Sequence, residues 1–380
     1  MIPAQFPPPV NQEDFVSSIT SRPDNRFNVG ILFVGGGPAS LAGAIRLAQL
    51  LEGAPEVRSM LGEIPIALIE KGKYPGAHLL AGAVINPVSL KKLFPELDTS
   101  DFPFYGPVKK DALYLMTSRH AIPVPVPPMM RNQGNYCASI SRLGSWLGER
   151  AEALGVSIFN ETPGVKLLIE DGRIRGVRTG DRGRDREGKP LSNFQEGSDI
   201  LSKVTILGEG CQAHLTSAAL EHFGVSRPNP QIYALGVKEV WEVPMPLDRV
   251  IHTMGWPLRW GRRFREFGGS FIYPMGPNLV SIGMVAGLDY SDSSISPHGL
   301  LQEIKGHPFV RELLRGGQRL DNGWGAKTIP EGGFYSLPER LSLPGALLIG
   351  DAAGFLNVPA IKGIHYAILS GILAAETIFS

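Results

Sequence analysis

The stretch FVGGGPASLAG, residues 33–43, decides the fold of this chain. It follows the apolar run VGILFV (29–34) and leads into LAGAIRLAQLL (41–51), so we predict a strand, a glycine-rich turn and a helix opened by Pro38. In dinucleotide-binding folds the first glycine permits the tight turn and the second lets the backbone approach a pyrophosphate. Gly35 and Gly37 hold these two positions, and Ser40 stands at the third, where glycine serves close helix–strand packing. The alternative is an ordinary strand–helix turn.

A second apolar run, IPIALIEKG (64–72), predicts a buried strand that ends at Glu70. An acid at this position accepts hydrogen bonds from the hydroxyls of an adenosine ribose. The usual gap after the glycine turn is about 20 residues, and the polar insertion EGAPEVRSMLGE (52–63) accounts for the longer gap here. A carboxylate also argues against a 2′-phosphate, and so against NADP.

The third motif, GDAAGF (350–355), follows the apolar run GALLI and indicates the cofactor. The Asp351 carboxylate can bond a ribityl hydroxyl. The N-terminus of the following helix would point its dipole at the N1/O2 edge of a flavin. Together the three motifs predict FAD.

The composition limits the other classes of function. A net charge of +1 gives no reason to expect a nucleic-acid partner. Cys137 and Cys211 are far apart, so cysteines of this sequence cannot assemble an iron–sulfur cluster, and we predict no metal site. No run reaches the roughly 18 apolar residues of a membrane span, and the C-terminal IHYAILSGILAAETIFS is predicted to be a buried helix.

The order of these signals predicts an α/β protein with an inserted antiparallel sheet. We expect an FAD-binding, Rossmann-like three-layer domain of the glutathione-reductase type, formed by residues 28–100, 136–225 and 336–380. Residues 1–27 are predicted to be a flexible arm, 101–135 a β segment, and 226–335 an antiparallel domain. A helix is expected at 141–155, a hairpin turn at Asp171-Gly172, and a charged surface loop at 181–197.

Beyond these motifs the chain resembles the electron-transfer flavoprotein:ubiquinone oxidoreductase family. The resemblance lies in segments that include VGGGPASLAGAIRL (34–47), KVTILGEGCQAHL (203–215), HTMGWPL (252–258), FGGSFIYPM (267–275) and GFLNVPAIKGIHYA (354–367). These segments follow the family order from about residue 29 to residue 380. The resemblance implies an FAD enzyme that takes electrons from a soluble electron-transfer flavoprotein and passes them to a membrane quinone.

The resemblance also implies that the segment 101–135 faces quinone and membrane, that the domain 226–335 binds quinone, and that individual residues have the following roles. The pyrophosphate and ribose would be held by Gly35, Gly37, Pro38, Ala39, Ser40, Glu70 and Lys71. The flavin and ribityl chain would be contacted by Gly76, Ala77, His78, Arg142, Gly350, Asp351, Gly354, Lys362 and Gly363. The pair Gly268–Gly269 would lie where the quinone headgroup meets the flavin, since paired glycines allow close backbone approach.

The apolar, proline-stiffened stretch IPVPVPPMM (122–130) is expected to face a membrane. Val124, Val126, Met129 and Met130 are its membrane-facing candidates. The resemblance implies a peripheral protein on the cytoplasmic face of a bacterial inner membrane, or on the matrix face of the mitochondrial inner membrane in a eukaryote.

The family differs in carrying further C-terminal helices and four cysteines for a 4Fe–4S cluster. We therefore leave three readings open for this sequence: a ferredoxin-like subunit supplies the cluster, the FAD accepts electrons directly, or the sequence is a fragment. Two other functions also stay open. One is a flavin-dependent reductase or monooxygenase of a lipid or isoprenoid, similar to geranylgeranyl reductases. The other is an electron-relay subunit that is inactive without an iron–sulfur partner.

Overall fold

A computed structural model describes residues 11–20 and 23–380. Its helices are α1 (Gln12–Phe15), α2 (Pro38–Glu52), α3 (Pro55–Met60), α4 (Val88–Leu93), α5 (Ile140–Ala153), α6 (His214–His222), α7 (Pro297–Gly306), α8 (Pro308–Leu313), α9 (Gly350–Ala353) and α10 (Ile364–Phe379). Short 3-10 turns cover Pro23–Asn25, Thr99–Asp101, Pro128–Met130 and Phe334–Ser336.

The strands of the first half are β1 (Val16–Ser17), β2 (Arg26–Val34), β3 (Ile66–Ile69), β4 (Ala81–Ile85), β5 (Phe104–Pro107), β6 (Asp111–Met116), β7 (Ala121–Val124), β8 (Tyr136–Ser139), β9 (Ser157–Phe159), β10 (Gly164–Glu170) and β11 (Arg173–Thr179). Those of the second half are β12 (Arg182–Arg184), β13 (Pro190–Gln195), β14 (Asp199–Leu207), β15 (Tyr233–Glu242), β16 (Val250–Gly255), β17 (Gly268–Pro274), β18 (Leu279–Gly287), β19 (Gln318–Pro330), β20 (Ser342–Leu343) and β21 (Ala346–Leu348).

The first sheet has the order β1-β10-β11-β14-β2-β3-β9, and β21 pairs with β14. Its central strands β14, β2, β3 and β9 are parallel, and the buried residues of β2 (Val29–Val34) and β3 are apolar, as are those at the end of β14. That composition is expected of a parallel sheet covered on both faces. Helices α2, α5 and α10 cover one face around Phe33 and Ile45, whereas α6 packs on the other face through Leu215 and Ala219.

Helices α2 and α10 come from opposite ends of the sequence and cross at Gly43 and Gly371. A Cβ on Gly371 would collide with the backbone oxygen of Ala39, so glycine is required there. This contact joins the N-terminal turn to the last helix, as a discontinuous FAD-type core requires.

The second sheet has the order β19-β15-β18-β17-β16-β6-β7 and is antiparallel from β19 to β16. Alternate residues such as Val237, Ile251 and Ile272 face α7 and α8 in one apolar core. The intervening residues face the opposite side, as the pleat requires. A smaller antiparallel sheet, β4-β8-β5, lies beside these two.

Most predicted elements are confirmed. Strand β2, helix α2 and strand β3 form the expected unit, and α5, the β10–β11 hairpin and the buried α10 are present within a few residues of their predicted bounds. The antiparallel strands expected within 226–335 are β15–β19.

Two predictions need correction, and the predicted β segment 101–135 divides between two sheets. Within the expected flexible arm, residues 11–20 form α1 and β1, because Val16 and Ser17 pair with β10 and Phe15 and Val16 pack on the apolar core. Residues 1–10 and 21–22 lie outside the described residues. The expected loop at 181–197 is a solvent-exposed hairpin, β12–β13, in which the Arg184 guanidinium lies over the Phe194 ring at 4.6 Å. Within 101–135, β5 joins the small sheet, whereas β6 and β7 join the second sheet.

Candidate cofactor site

A cavity of about 1070 Å³ lies between the first and second sheets. Fourteen of the residues predicted from the sequence line it: Gly35, Gly37, Pro38, Ala39, Glu70, Lys71, Gly76, His78, Met130, Gly268, Gly269, Gly350, Asp351 and Gly363. Residues separated by more than 300 positions therefore meet around one space, at the carboxyl ends of the parallel strands. Open α/β sheets bind ligands at this edge.

The glycine-rich turn leaves room for a ligand at one position. Gly35 has a positive φ of 99°, and a Cβ there would approach the Gly208 carbonyl oxygen at 2.6 Å, so the turn itself requires glycine. Gly37 differs, because a Cβ on it would meet no protein atom within 4 Å and the residue lines the cavity. Helix α2 begins at the next residue, so its free backbone N–H groups border the same space. An unfilled glycine position at a helix N-terminus fits a pyrophosphate.

The Glu70 carboxylate is bound to the backbone on both sides. Its Oε2 accepts a hydrogen bond from the Gly36 N–H at 2.7 Å, and its Oε1 accepts one from the Gly72 N–H at 2.6 Å. The His78 Nδ1 lies 3.6 Å from Oε1. A carboxylate has roughly four acceptor positions, so Glu70 keeps capacity for ribose hydroxyls while holding the turn in place.

Asp351 lies in the first turn of the short helix α9. The Gly350 N–H before it donates to the Ser370 Oγ at 2.9 Å, which links α9 to α10. Burial raises the pKa of the Asp351 carboxyl to about 6, and the positive charge of Lys327 opposes this shift. The residue is a buried acceptor that lines the cavity, as a ribityl-binding carboxylate would.

Other predicted site residues lie away from this cavity. Ser40 is fully buried, and its hydroxyl has no hydrogen-bond partner in the described part of the chain. A Cβ on Gly208 would collide with the Ser40 Oγ, so the residue packs helix against strand. Ala77 lines a second cavity of about 570 Å³. Gly354 ends α9 with a φ of 101°.

The two basic residues that were predicted to contact the flavin, Arg142 and Lys362, make other contacts. Arg142 is exposed, and its guanidinium lies over the Tyr105 ring at 5.3 Å. The Lys362 Nζ donates to the carbonyl oxygens of Ala360 and Ile361 at 3.3 and 3.5 Å. Burial lowers the pKa of Lys362 to about 8. Neither residue is among those that line the cavity.

Several polar residues of the cavity were missed by the sequence reasoning. They are Lys238 and Lys327 on the second sheet, a His252–Tyr273 pair and Glu209. The His252 Nε2 lies 2.7 Å from the Tyr273 hydroxyl; burial lowers the pKa of His252 to about 4 and raises that of Tyr273. In the sequence, Lys238, His252, Tyr273 and Lys327 look like ordinary strand residues, and only the pairing of β15 to β19 brings them to the cavity.

Glu209 has a structural explanation. Its carboxylate accepts hydrogen bonds from the N–H groups of Leu215 and Thr216 at 3.0 and 2.8 Å and from the Thr216 hydroxyl. These bonds hold the first turn of α6, and burial raises the pKa of Glu209.

The two cysteines are free and buried, and burial raises the pKa of each thiol to about 12. Within residues 11–20 and 23–380, no three or more His, Cys, Asp or Glu side chains cluster closely enough to hold a metal ion. None of the described helices has the length and apolar character that crossing a bilayer requires.

Apolar side chains are exposed on the stretch 122–130 and at the cavity rim. Ile122 and Met129 are 46% and 56% exposed. Trp260 and Phe267 are also exposed and line the cavity, so an apolar surface borders its opening. Val124, Val126 and Met130 are half-buried.

The fold is similar to that of solved flavin-dependent enzymes. A geranylgeranyl bacteriochlorophyll reductase-like protein from Thermoplasma acidophilum has a similar structure, with a TM-score of 0.70 and 18% identity over 93% of this chain and 78% of that one. The flavin-dependent brominase Bmp2 follows, with a TM-score of 0.65 and 16% identity over 93% of this chain and 79% of that one. At such identities the likeness concerns the fold alone.

Sequence similarity identifies the family. The family profile described as "ETF-QO, ubiquinone-binding" matches residues 233–329. The chain is 41% identical over 359 residues to the mitochondrial electron transfer flavoprotein-ubiquinone oxidoreductase of Homo sapiens, and 40% identical over 363 residues to that of Dictyostelium discoideum. These alignments cover 92% and 94% of this chain. The chain belongs to the electron transfer flavoprotein-ubiquinone oxidoreductase family. It spans 56% and 57% of the length of these two relatives.

Proposed function

We propose that this chain binds FAD in the large cavity and carries electrons from a reduced electron-transfer flavoprotein to a membrane quinone. The observation that carries the proposal is the open position at Gly37 beside the N-terminus of α2. Bound FAD would supply the redox chemistry. The protein's task is to hold it, to exclude water and to admit a quinone.

The residues that would hold FAD divide by their positions around the cavity. The turn 35–39 and the α2 N-terminus would bind the pyrophosphate, and Glu70 the adenosine ribose. Gly350 and Asp351 would bind the ribityl chain, and Gly76, His78 and Gly363 would border the flavin. The parallel strands β2, β3, β9 and β14 around this turn support a domain of the glutathione-reductase type, formed by residues 28–100, 136–225 and 336–380.

The quinone would enter beside β17. Gly268 and Gly269 line the cavity there, although a Cβ on either would also collide with a neighbouring strand, at Val285 and Thr253. The profile match at 233–329, which lies within the proposed domain 226–335, supports this placement. The apolar rim at Trp260 and Phe267 would pass an isoprenoid tail.

The exposed apolar stretch 122–130 supports peripheral contact with a membrane. We propose that it rests on the surface of a bacterial inner membrane at the cytoplasmic face, or at the matrix face in a mitochondrion. An alternative proposal is that a ferredoxin-like subunit donates the electrons, in which case this chain would be the relay subunit tested below.

The direct test follows electrons through the purified protein. Bound FAD is measured by absorbance, and the protein is mixed anaerobically with reduced electron-transfer flavoprotein and then with a short-chain ubiquinone. We expect bleaching of the FAD by the flavoprotein and its recovery on adding quinone. Rapid NAD(P)H oxidation with an isoprenoid lipid would instead support the reductase or monooxygenase function. Turnover that appears only after a ferredoxin-like protein is added would support the relay function.

A further inference from the structure

Lys238 lies on the face of the second sheet that borders the cavity. Along β15, Gly236 and Lys238 line the cavity, whereas Val237 packs into the core under α7 and α8. Glu239 also faces that side, where its carboxylate binds the Lys305 Nζ at 2.7 Å. Because side chains alternate along a strand, the Lys238 side chain points to the cavity.

The Lys238 ammonium has no partner among residues 11–20 and 23–380. The residue is only 7% exposed, yet no hydrogen bond or ion pair involves its Nζ. Burial lowers its pKa, and no carboxylate opposes that shift. Lys305, on the other face of this sheet, is partly buried and is paired with Glu239. Burying an ammonium without a partner is unfavourable. We therefore expect a ligand bound in the cavity to supply the missing hydrogen-bond acceptor.

The neighbours of Lys238 leave the ammonium free to meet a ligand. In register with it are Gly283 on β18 and Gly325 on β19, which carry no side chains. The Phe271 ring lies against Gly283, and Leu80 lies against Gly325. These flanking groups are apolar and offer no acceptor.

The other lysines that line the cavity, Lys71 and Lys327, are exposed to solvent, and the positive charge of Lys327 also lowers the pKa of Asp351. Glu70 is held by two backbone N–H groups. Lys238 is thus left for a group that the protein itself does not supply.

We propose that Lys238 is a ligand-binding residue whose ammonium donates a hydrogen bond to an electron-rich oxygen on a planar redox-active ring in the cavity. That oxygen belongs either to the flavin of FAD or to a quinone. The inference rests on the proposed function and deepens it by assigning a polar contact on the inserted sheet.

The test compares Lys238→Met with Lys238→Arg, with Lys305→Met as the matched control. Wild-type protein is first shown to bind FAD; failure at this step counts against the proposed function and is seen before any substitution. Four quantities are then measured: the Tm of the apoprotein, the Kd of FAD, the FAD midpoint potential, and the KM for a short-chain ubiquinone.

We expect Lys238→Met to raise the Tm of the apoprotein by about 2 to 5 °C, because it removes an unpaired buried charge. It should weaken one ligand contact by about ten- to a hundredfold, the loss typical of a hydrogen bond to a charged group. Lys238→Arg should restore much of that loss. Lys305→Met should lower the Tm, because it removes the cation that is hydrogen-bonded to the buried Glu239 and leaves the Arg319 Nη1, 4.0 Å away, as its ion-pair partner. It should leave both ligands unaffected.

The affected ligand distinguishes the two sources of the oxygen. A changed FAD Kd or midpoint potential assigns the contact to the flavin, whereas a changed quinone KM alone assigns it to the quinone. A lower Tm for Lys238→Met would show a structural partner and overturn the inference. Unchanged FAD affinity, potential and quinone KM would also overturn it.

Discussion

Glu70 accepts a hydrogen bond from the backbone N–H of Gly36 across 2.7 Å, which ties the end of the second parallel strand to the glycine-rich turn after the first. The same carboxylate accepts the Gly72 N–H. The backbone N–H groups of Gly36 and Gly72 therefore hold the Glu70 carboxylate in position before any ribose binds.

Replacing Glu70 with glutamine tests this double role. Glutamine offers one carbonyl oxygen, so it can keep only one of the two short N–H contacts well. We expect the Kd of FAD to rise about tenfold, in line with the loss of a charge-assisted hydrogen bond. Flavin fluorescence titration measures it, with the exposed Glu52→Gln at the end of α2 as control. An unchanged Kd would mean that Glu70 serves the backbone alone.

Gly37→Val separates ligand binding from folding. Because a Cβ on Gly37 meets no protein atom within 4 Å, the variant should fold with an unchanged apoprotein Tm but lose FAD. Gly35→Val should instead destabilise the protein, since its positive φ and the Gly208 carbonyl both exclude a side chain. Flavin content and thermal unfolding report the two effects. If the Gly37→Val variant kept its full content of bound FAD, the proposal that Gly37 contacts the pyrophosphate would be wrong.

Ser40 should tolerate loss of its hydroxyl. The Oγ is buried without a partner among the described residues, so Ser40→Ala should leave the free energy of unfolding unchanged or raise it by about 1 kcal/mol. Ser40→Gly should also retain FAD, although glycine within a helix costs about 1 kcal/mol. Urea unfolding and flavin content are the measurements. If Ser40→Ala lost FAD, the hydroxyl would have to contact the cofactor.

Asp351 should make the stability of the apoprotein depend on pH. Its folded pKa of about 6 lies above the ordinary value of 3.8, so the folded state binds more protons than the unfolded state between these values. The contribution of Asp351 to stability is therefore greatest below pH 3.8 and is lost as pH rises through 6. The full effect of a two-unit shift is about 3 kcal/mol.

Asp351→Asn removes this dependence. The variant should gain about 1 to 2 kcal/mol over wild type between pH 5 and pH 8, because only the wild type develops the buried charge. Urea unfolding of both apoproteins at the two pH values measures it. Parallel curves for variant and wild type would show that Asp351 is ionised at no unusual cost.

The exposed Met129 should contribute to membrane binding. It is 56% exposed on the apolar stretch 122–130, so Met129→Glu should reduce binding to phosphatidylcholine vesicles severalfold without changing the Tm. Met245 is 74% exposed on another loop, and Met245→Glu is the matched control. Vesicle co-sedimentation compares them, and equal binding by all three proteins would contradict the membrane role of this stretch.

The local motifs were readable from the sequence because their geometry is set within a few residues. Gly35, Pro38 and the apolar runs around them encode a strand, a turn and a helix directly. Glu70 and Asp351 could be placed for the same reason, since each follows a buried strand whose end is marked by glycine.

Only the tertiary structure decided which side chains share the cavity. Arg142 and Lys362 are near the predicted site in sequence, yet one lies over Tyr105 and the other binds backbone carbonyls. Lys238 and His252 looked unremarkable until strand pairing placed them on one face of the second sheet. A turn depends on the conformational preferences of a few neighbouring residues, so the sequence predicts it. Strand register and helix crossings depend on contacts between residues far apart in the sequence, so only the folded chain determines them.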